Sequence, residues 1–408
     1  MSKKRILYFM PDNPLKKNAG NKTRALQLLK YFSSRSSKID VDFVSEKIWG
    51  IWSNEDQIVF REHFPKIDLK VLTRKPLRKK TLGYLIFKLI DYVMKYKWLL
   101  FKPQIPNWNT YVLQNQFNKL LDAKTYDVII ISYVEWATLV ANNTKTQNAK
   151  LIIDTHDFMT AQHKKAKKFS LGKAFETEIN LIRVFDESWL LSYDEQYIFS
   201  QFAEKTTHKF VPLMFDSNEA LRDSDASKKY DIIYVASENS HNVNSARWFF
   251  DKVFPSLDSN LKFCVVGMIG SYIPEYDNVE KLMFVDDLHQ LYGDSKIAIC
   301  PMLSGTGIKV KTVEALSFGL PVICTYRGLD GLPQKQDNGC ILAEDPEEFA
   351  MAIHSLLNNA QLYSETSSRA LSFFNRFFEL RSCYDRLDKH LNLDTTVATV
   401  PPQAFTKQ

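Results

Sequence analysis

Apolar residues along this chain fall into short runs separated by stretches of helical spacing. Ile6-Leu7-Tyr8-Phe9-Met10 is the first run and predicts a buried strand. A polar loop containing Gly20 follows. Thr23–Phe32 then carries Ala25, Leu28, Leu29 and Phe32 on one helical face. Val41–Val44 predicts a second strand. Tyr126–Ser132 holds Val128-Ile129-Ile130-Ile131, the continuous run expected of a strand covered on both faces. Leu151-Ile152-Ile153 is another and ends in Asp154-Thr155-His156-Asp157. Glu176–Leu190 predicts a helix leading into a short strand near Trp189–Leu191. Strands alternating with helices predict a parallel, doubly wound α/β sheet.

The pattern breaks at 213–229, where Asp216, Ser217, Asn218, Asp223, Ser224, Asp225 and Ser227 mark a linker. It then restarts. Strands are expected at Asp231–Val235, Leu261–Val266, Lys281–Val285, Ile297–Cys300 and Pro321–Cys324. Helices are expected at Asn244–Phe254, at Leu288–Tyr292, from the loop Ser304–Gly307 through Leu316, and at Glu347–Leu357 behind Asp345-Pro346. Residues 1–212 and 230–372 therefore read as two Rossmann-like domains facing a central cleft, where open parallel sheets bind ligands. Phe373, Phe374, Phe377 and Phe378 are too apolar for a free tail, so 373–393 is expected to be a helix packing back on the first domain. Residues 394–408 are expected to be disordered.

Composition narrows the partners. A chain of 408 residues is long enough for two or three domains, and 45% hydrophobic content supports a core in each. The net charge of +6 is small for this length. Basic runs are short and lie beside apolar segments, which argues against nucleic acid. Cys264, Cys300, Cys324, Cys340 and Cys383 are widely spaced, form no CxxC pair and read as buried thiols of a reducing, cytoplasmic compartment. The N-terminal apolar run is too short for an export signal, and no run reaches membrane-spanning length. A dinucleotide-dependent oxidoreductase needs G-x-G-x-x-G after its first strand, whereas Pro11-Asp12-Asn13-Pro14 follows Met10.

The most informative segment runs from Pro301 to Ile323. A strand ends, Ser304-Gly305-Thr306-Gly307 turns, and a helix begins with Lys309, Lys311 and Glu314 near its start. Glycine lets backbone approach a ligand, and a helix N-terminus offers open N–H groups and partial positive charge. That arrangement suits a diphosphate. A carboxylate such as Glu314 can accept two hydrogen bonds from a ribose diol. From the residues alone, the competing reading is a surface helix with a Lys311–Glu314 pair.

This segment resembles the signature of the family-four retaining glycosyltransferases (group 1 glycosyl transferases), in its GTGIKxKxxEAxxxGxPVVxT variant. The similarity continues into Gly328-Leu329-Asp330-Gly331-Leu332. Asn242-Val243-Asn244 with Trp248-Phe249 is similar to the family's hxPNxxAxxWF segment, with Val243 in place of proline. Phe284-Val285-Asp286-Asp287-Leu288 and Asn18-Ala19-Gly20-Asn21-Lys22-Thr23-Arg24 resemble two further family segments. The resemblance implies the GT-B fold and transfer of a sugar from a nucleotide sugar, with retention of configuration and without a bound metal or cofactor. It implies that Glu314 holds the donor ribose, and that Gly305, Thr306, Gly307, Lys309 and Lys311 bind donor phosphates and sugar. His156 would reach the donor sugar as the catalytic-side residue of the first domain. Gly20 and Arg24 would form a loop on the acceptor side. Thr306 stands where many relatives carry a glutamate, so the donor sugar is not implied. A non-catalytic sugar-nucleotide-binding protein is the alternative.

One feature lies outside that signature. Arg74-Lys75-Pro76-Leu77-Arg78-Lys79-Lys80 precedes an apolar, aromatic helix from Leu82 to Phe101 with Lys88, Lys95 and Lys97. A second basic run occupies His163–Lys168. Basic residues beside apolar and aromatic ones suggest a peripheral segment on an anionic membrane, and a lipid-linked or glycan acceptor in cell-surface polysaccharide assembly. The competing reading places Leu82–Phe101 in the first domain's core.

Overall fold

A run such as Val128-Ile129-Ile130-Ile131 leaves no polar face, so helices must cover it on both sides. The computed structural model does this twice. It describes residues 3–16, 20–76, 81–101, 104–164, 168–219, 228–285 and 287–393. The first domain runs β1 (Lys4–Phe9), α1 (Gly20–Ser34), β2 (Ile39–Glu46), α2 (Asn54–His63), β3 (Ile67–Leu72), α3 (Leu82–Phe101) and α4 (Tyr111–Ala123). It continues with β4 (Val128–Ser132), β5 (Lys150–Asp154), α5 (Met159–His163), α6 (Leu171–Ile182), β6 (Glu187–Leu190), α7 (Tyr193–Phe202) and β7 (Thr207–Phe210). The second runs β8 (Tyr230–Val235), α8 (Ser240–Trp248), β9 (Phe263–Val266), β10 (Val279–Leu282), α9 (His289–Gly293) and β11 (Ser295–Cys300). Then come α10 (Val310–Ser317), β12 (Val322–Cys324), β13 (Cys340–Leu342), α11 (Pro346–Asn358), α12 (Ala360–Phe377) and α13 (Leu380–His390).

Both sheets are parallel, in the orders β3-β2-β1-β4-β5-β6-β7 and β10-β9-β8-β11-β12-β13. Strand order reverses beside β1 in one sheet and beside β8 in the other. Each reversal opens a crevice at the carboxyl ends of the strands. Side chains of β1 alternate between two cores. Ile6 and Tyr8 meet Leu28, Phe32 and Phe43, while Leu7 and Phe9 meet Leu113 and Phe117.

Several boundaries differ from the sequence reading for local reasons. The helix expected over Glu176–Leu190 ends at Ile182, because the Asp186 N–H and carboxylate are tied to the backbone of Leu151 at the sheet edge. The strand expected at Lys281–Val285 lies at Val279–Leu282, in register with Phe263–Val266, and Phe284 projects into solvent beyond it. The cysteines are free thiols; burial covers all of them except Cys340, which is half-buried.

The helix expected over 373–393 is broken in two. Phe373, Phe374 and Phe378 belong to the second domain's core, which makes 373–378 part of that domain. Phe378 also meets Phe210 of β7 edge-on at 6.0 Å, and from α13 onward the chain enters the first domain's core through Cys383, Leu387 and Leu391. Tyr31 Oη donates to Asp388 at 2.8 Å, and Arg35 Nε binds the same carboxylate at 2.9 Å. The outgoing chain meets the returning one. Phe215 N–H donates to Phe378 O at 3.0 Å, and Leu380 N–H to Phe215 O at 2.9 Å. Linker residues 220–227 and the tail 394–408 lie outside the described residues. Leu387→Ala is expected to destabilise the protein by about 2–5 kcal/mol in urea denaturation, since the site is closed on every side.

A buried ion pair ties the first domain together. Arg24 on α1 is 1% exposed and Asp154, at the end of β5, is fully buried. Arg24 Nε lies 2.8 Å and Nη2 2.6 Å from Asp154 Oδ1, and Nη1 donates to the carbonyls of Val211 and Pro212. The Arg24 and His156 charges hold the Asp154 carboxyl well below the usual range, against the opposing effect of burial. Removing one partner strands the other charge, so Asp154→Asn is expected to cost about 3–5 kcal/mol in chemical denaturation. Because the native pKa is depressed, the pair's contribution is full above the unfolded carboxylate value of roughly 3.9 and falls away as pH drops further.

Candidate functional site

The crevice of the second domain is built by the loop after β11. Gly305 and Gly307 have φ of 109° and 73°, a region that side chains with a Cβ avoid. The loop therefore curls back beside the start of α8, and Ser304 Oγ lies 2.7 Å from His241 Nδ1. α10 opens with Lys309 at its N-cap position and has no side-chain cap, so its first N–H groups face the loop. Lys309 Nζ is 2.8 Å from the Gly307 carbonyl and 3.6 Å from Asp330 Oδ2. Burial pulls the lysine's pKa down and Asp330 opposes it.

Lys311 points elsewhere. Its Nζ donates to Asn242 Oδ1 at 3.0 Å and lies over the Tyr234 ring at 5.3 Å. Glu314 does not pair with it. Its carboxylate instead lines a recess of about 230 Å³ with Phe215, Leu288, His289, Tyr292 and Phe318. Tyr292 Oη donates to Glu314 at 3.4 Å, and burial raises the carboxyl's pKa. Tyr292 stacks on Phe318 with ring centroids 5.2 Å apart, which makes one wall of the recess flat and aromatic.

A larger cleft of about 400 Å³ lies next to it, between the domains, and shares Phe215 with the recess. Thr306, Gly307, Arg327 and Asp330 face it from the second domain, and His156, Asp157, Asp194 and Glu195 from the first. His156 is 4% exposed, has φ of 61° and stacks on Tyr133 at 4.2 Å; Tyr133 has φ of 67°. Left-handed backbone at two non-glycine residues is strain that only a well-determined surrounding maintains. His156 Nε2 sits 3.1 Å from Asp154 Oδ2. That contact lacks hydrogen-bond geometry, so neither ring nitrogen has a hydrogen-bond partner among the described residues. The α7 N-terminus is joined to the other domain: Tyr193 N–H donates to Gly331 O at 2.9 Å, and Gly331 N–H donates to Asp194 at 2.7 Å.

Of the residues singled out from sequence, His156, Thr306 and Gly307 line the cleft and Glu314 lines the recess. Gly305 lies within the loop itself, and Lys309 and Lys311 line neither cavity. Gly20 and Arg24 line neither cavity. Gly20 is the exposed first residue of α1, and Arg24 is buried with its guanidinium on Asp154 and backbone carbonyls; residues 17–19 of the expected loop lie outside the described residues. Glu195, Arg327 and Asp330 were not singled out. Glu195 follows β6 at the sheet's carboxyl edge, and that position was the available signal.

Residues 229–359 match the family model described as Glycosyl transferases group 1. A 44.6 kDa protein of the Klebsiella pneumoniae cps region is 24% identical over 164 residues; the match covers 36% of this chain and 42% of that protein, less than half its length. The structure of HepE from Anabaena in complex with UDP and glucose superposes with a TM-score of 0.62 at 16% identity, covering 96% of this chain and all of that one (100%). Sucrose-phosphate synthase from Thermosynechococcus elongatus gives 0.63 at 13% identity, covering 96% and 99%. The chain thus has the GT-B fold, with two Rossmann-like domains, and its second domain matches the group 1 glycosyl transferase family over residues 229–359.

Proposed function

We propose that this protein is a glycosyltransferase that moves a sugar from a nucleotide-sugar donor to an acceptor in the interdomain cleft. The observation that carries the reading is the continuity of three features. The aromatic recess with Glu314 adjoins the open start of α10, which adjoins the cleft with His156. A nucleoside fits the recess with its ribose on Glu314. Its diphosphate then meets the Gly305–Gly307 loop and Lys309, and its sugar enters the cleft beside Thr306 and His156. Of the two lysines, Lys309 takes the phosphate, because its Nζ stands at the Gly307 carbonyl of the loop, whereas Lys311 Nζ turns to Asn242 and the Tyr234 ring. As the bond from sugar to diphosphate breaks, the helix end, Lys309 and Arg327 stabilise the departing charge, and no metal or cofactor is required. Family resemblance supports retention of configuration. The cps-region relative supports a place in polysaccharide assembly.

Glu314→Gln is expected to weaken UDP binding by roughly 1–3 kcal/mol, and Lys309→Ala by about 1.5–3 kcal/mol through loss of a charge-assisted bond. Lys311→Ala should leave UDP affinity near that of the parent. Calorimetric titration with UDP checks all three, with thermal melts confirming that each variant folds. Unchanged affinity in both Glu314→Gln and Lys309→Ala would overturn the donor assignment.

The reading includes reversible attachment to the inner, cytoplasmic face of an anionic membrane through α3. Leu82, Leu85, Ile86, Leu89, Tyr92 and Val93 are exposed, and among the helix's described side chains only Phe87 is buried. This supports the interfacial reading over the core one. No helix among the described residues is long and apolar enough to cross a membrane. Lys79 and Lys80, the side chains of Lys95 and Lys97, and the middle of the His163–Lys168 run lie outside what is described. Each lysine near the surface contributes roughly 1 kcal/mol. The protein should pellet with phosphatidylglycerol vesicles at low salt and be released at high salt. Leu85→Glu with Leu89→Glu should abolish pelleting; retention by that variant would leave α3 without a membrane role.

A further inference from the structure

Two of the three acids on the cleft's first-domain wall, Asp157 and Glu195, differ from the third, Asp194, and from Asp330 opposite. Asp194 is held by Gly331 N–H and Lys335, and Asp330 by Lys309 and Arg327. Glu195 and Asp157 have no ion-pair partner among the described residues, although the Asp157 carboxylate accepts a hydrogen bond from Gln162. Glu195 Oε2 is buried, lines the cleft and accepts no hydrogen bond among the described residues. The same wall carries His156, 4% exposed, with its Nδ1 also unpartnered. Buried polar atoms are ordinarily satisfied, and an orphaned set aimed into a cavity points to a ligand that satisfies it. Arg24, the cation whose charge reaches Glu195, is already neutralised by Asp154.

We propose that Glu195 and Asp157 form the acceptor subsite of the transferase reading, and that the group they select is an uncharged, hydroxyl-rich sugar ring rather than an anionic one. Carboxyl groups accept from, and when protonated donate to, sugar hydroxyls. A carboxylate or phosphate on the bound ring would be buried against two acids, and the nearby cations Arg24 and Arg327 already face Asp154 and Asp330. Any phosphate of a lipid-linked acceptor must then lie outside this cleft. Burial, with the nearby charges of Asp157, Glu178 and Asp194, pushes the Glu195 carboxyl up to about 8. Burial raises Asp157 as well. At neutral pH Glu195 thus retains its proton and can donate to an acceptor oxygen. As pH rises through 8 the wall gains a charge, and exclusion of an anion sharpens. The groups facing Glu195 are Asp157, Glu178, Asp194 and Arg24, with Arg327 and Asp330 across the cleft.

This rests on the transferase reading, and the test separates the two. Full-length protein saturated with UDP is probed by saturation-transfer NMR with methyl β-D-glucoside and methyl β-D-glucuronide, which share a ring and differ in one carboxylate. At pH 7 the glucoside should bind at least about tenfold more tightly, the factor that one charge pair is worth at 1.4 kcal/mol. That ratio should widen by pH 9 in the parent. In Glu195→Gln, which keeps a neutral donor at every pH, it should stay flat. Asp157→Asn serves as a second variant should Glu195→Gln fail to fold, and should narrow the ratio. Equal or tighter glucuronide binding, no glucoside signal, or an unchanged pH response in the variants would overturn the acceptor proposal. If UDP itself fails to raise the melting temperature, the donor reading is what fails.

Discussion

The buried pair of Arg24 and Asp154 sets the geometry on which the first domain's half of the cleft depends. Arg24 enters from α1, Asp154 ends β5, and the carbonyls of Val211 and Pro212 belong to the segment leaving the domain. One guanidinium thereby fixes a helix, the sheet and the exit of the linker. Asp154 also holds Nε2 of His156 at 3.1 Å. The imidazole stays at the cleft wall through this contact and through stacking on Tyr133, despite its left-handed backbone. A pair this deeply buried contributes little net stability, because desolvation offsets its attraction. Its effect is to specify one arrangement.

The cleft separates charge by domain. The second domain presents glycine backbone, an uncapped helix start and Lys309, all of which favour negative charge. The first presents Asp157, Glu195 and His156, which favour hydroxyls. In the proposed reading a donor diphosphate and an acceptor ring each meet the side that suits them, with the sugar between. Contact of Tyr193 and Asp194 with Gly331 holds the two sides together at the mouth of the cleft. The meeting of Phe215 with Phe378 and Leu380 holds them at the hinge. α3 stands apart from both, and among its described side chains Leu82, Leu85, Ile86, Leu89, Tyr92 and Val93 are exposed.

Much of this was legible in the residues themselves. Continuous apolar runs dictated strands covered on both sides, and their alternation with helices dictated two parallel sheets. Gly305 and Gly307 were readable as positions needing unusual backbone, because no other residue type serves there so readily. Glu314 was legible as a site candidate because it lies within a few residues of that loop. What the sequence could not supply was the direction of individual side chains and the partners that distant segments bring. Lys309 and Lys311 look equivalent in sequence, yet one turns to the loop and the other to Asn242. Arg24 reads as a cleft arginine until Asp154, 130 residues away, claims its donors. The break at Phe378 was invisible because Phe373, Phe374, Phe377 and Phe378 are equally apolar; only the packing of Phe373, Phe374 and Phe378 in one domain and of Cys383 in the other decides where the chain crosses. Glu195 became a candidate only when the fold placed it, half-buried and with Oε2 unpartnered among the described residues, in the same cleft as Thr306. Periodicity and backbone chemistry are local and so belong to the sequence, whereas burial, charge pairing and the choice of partner are set by segments far apart in the chain and exist only once it is folded.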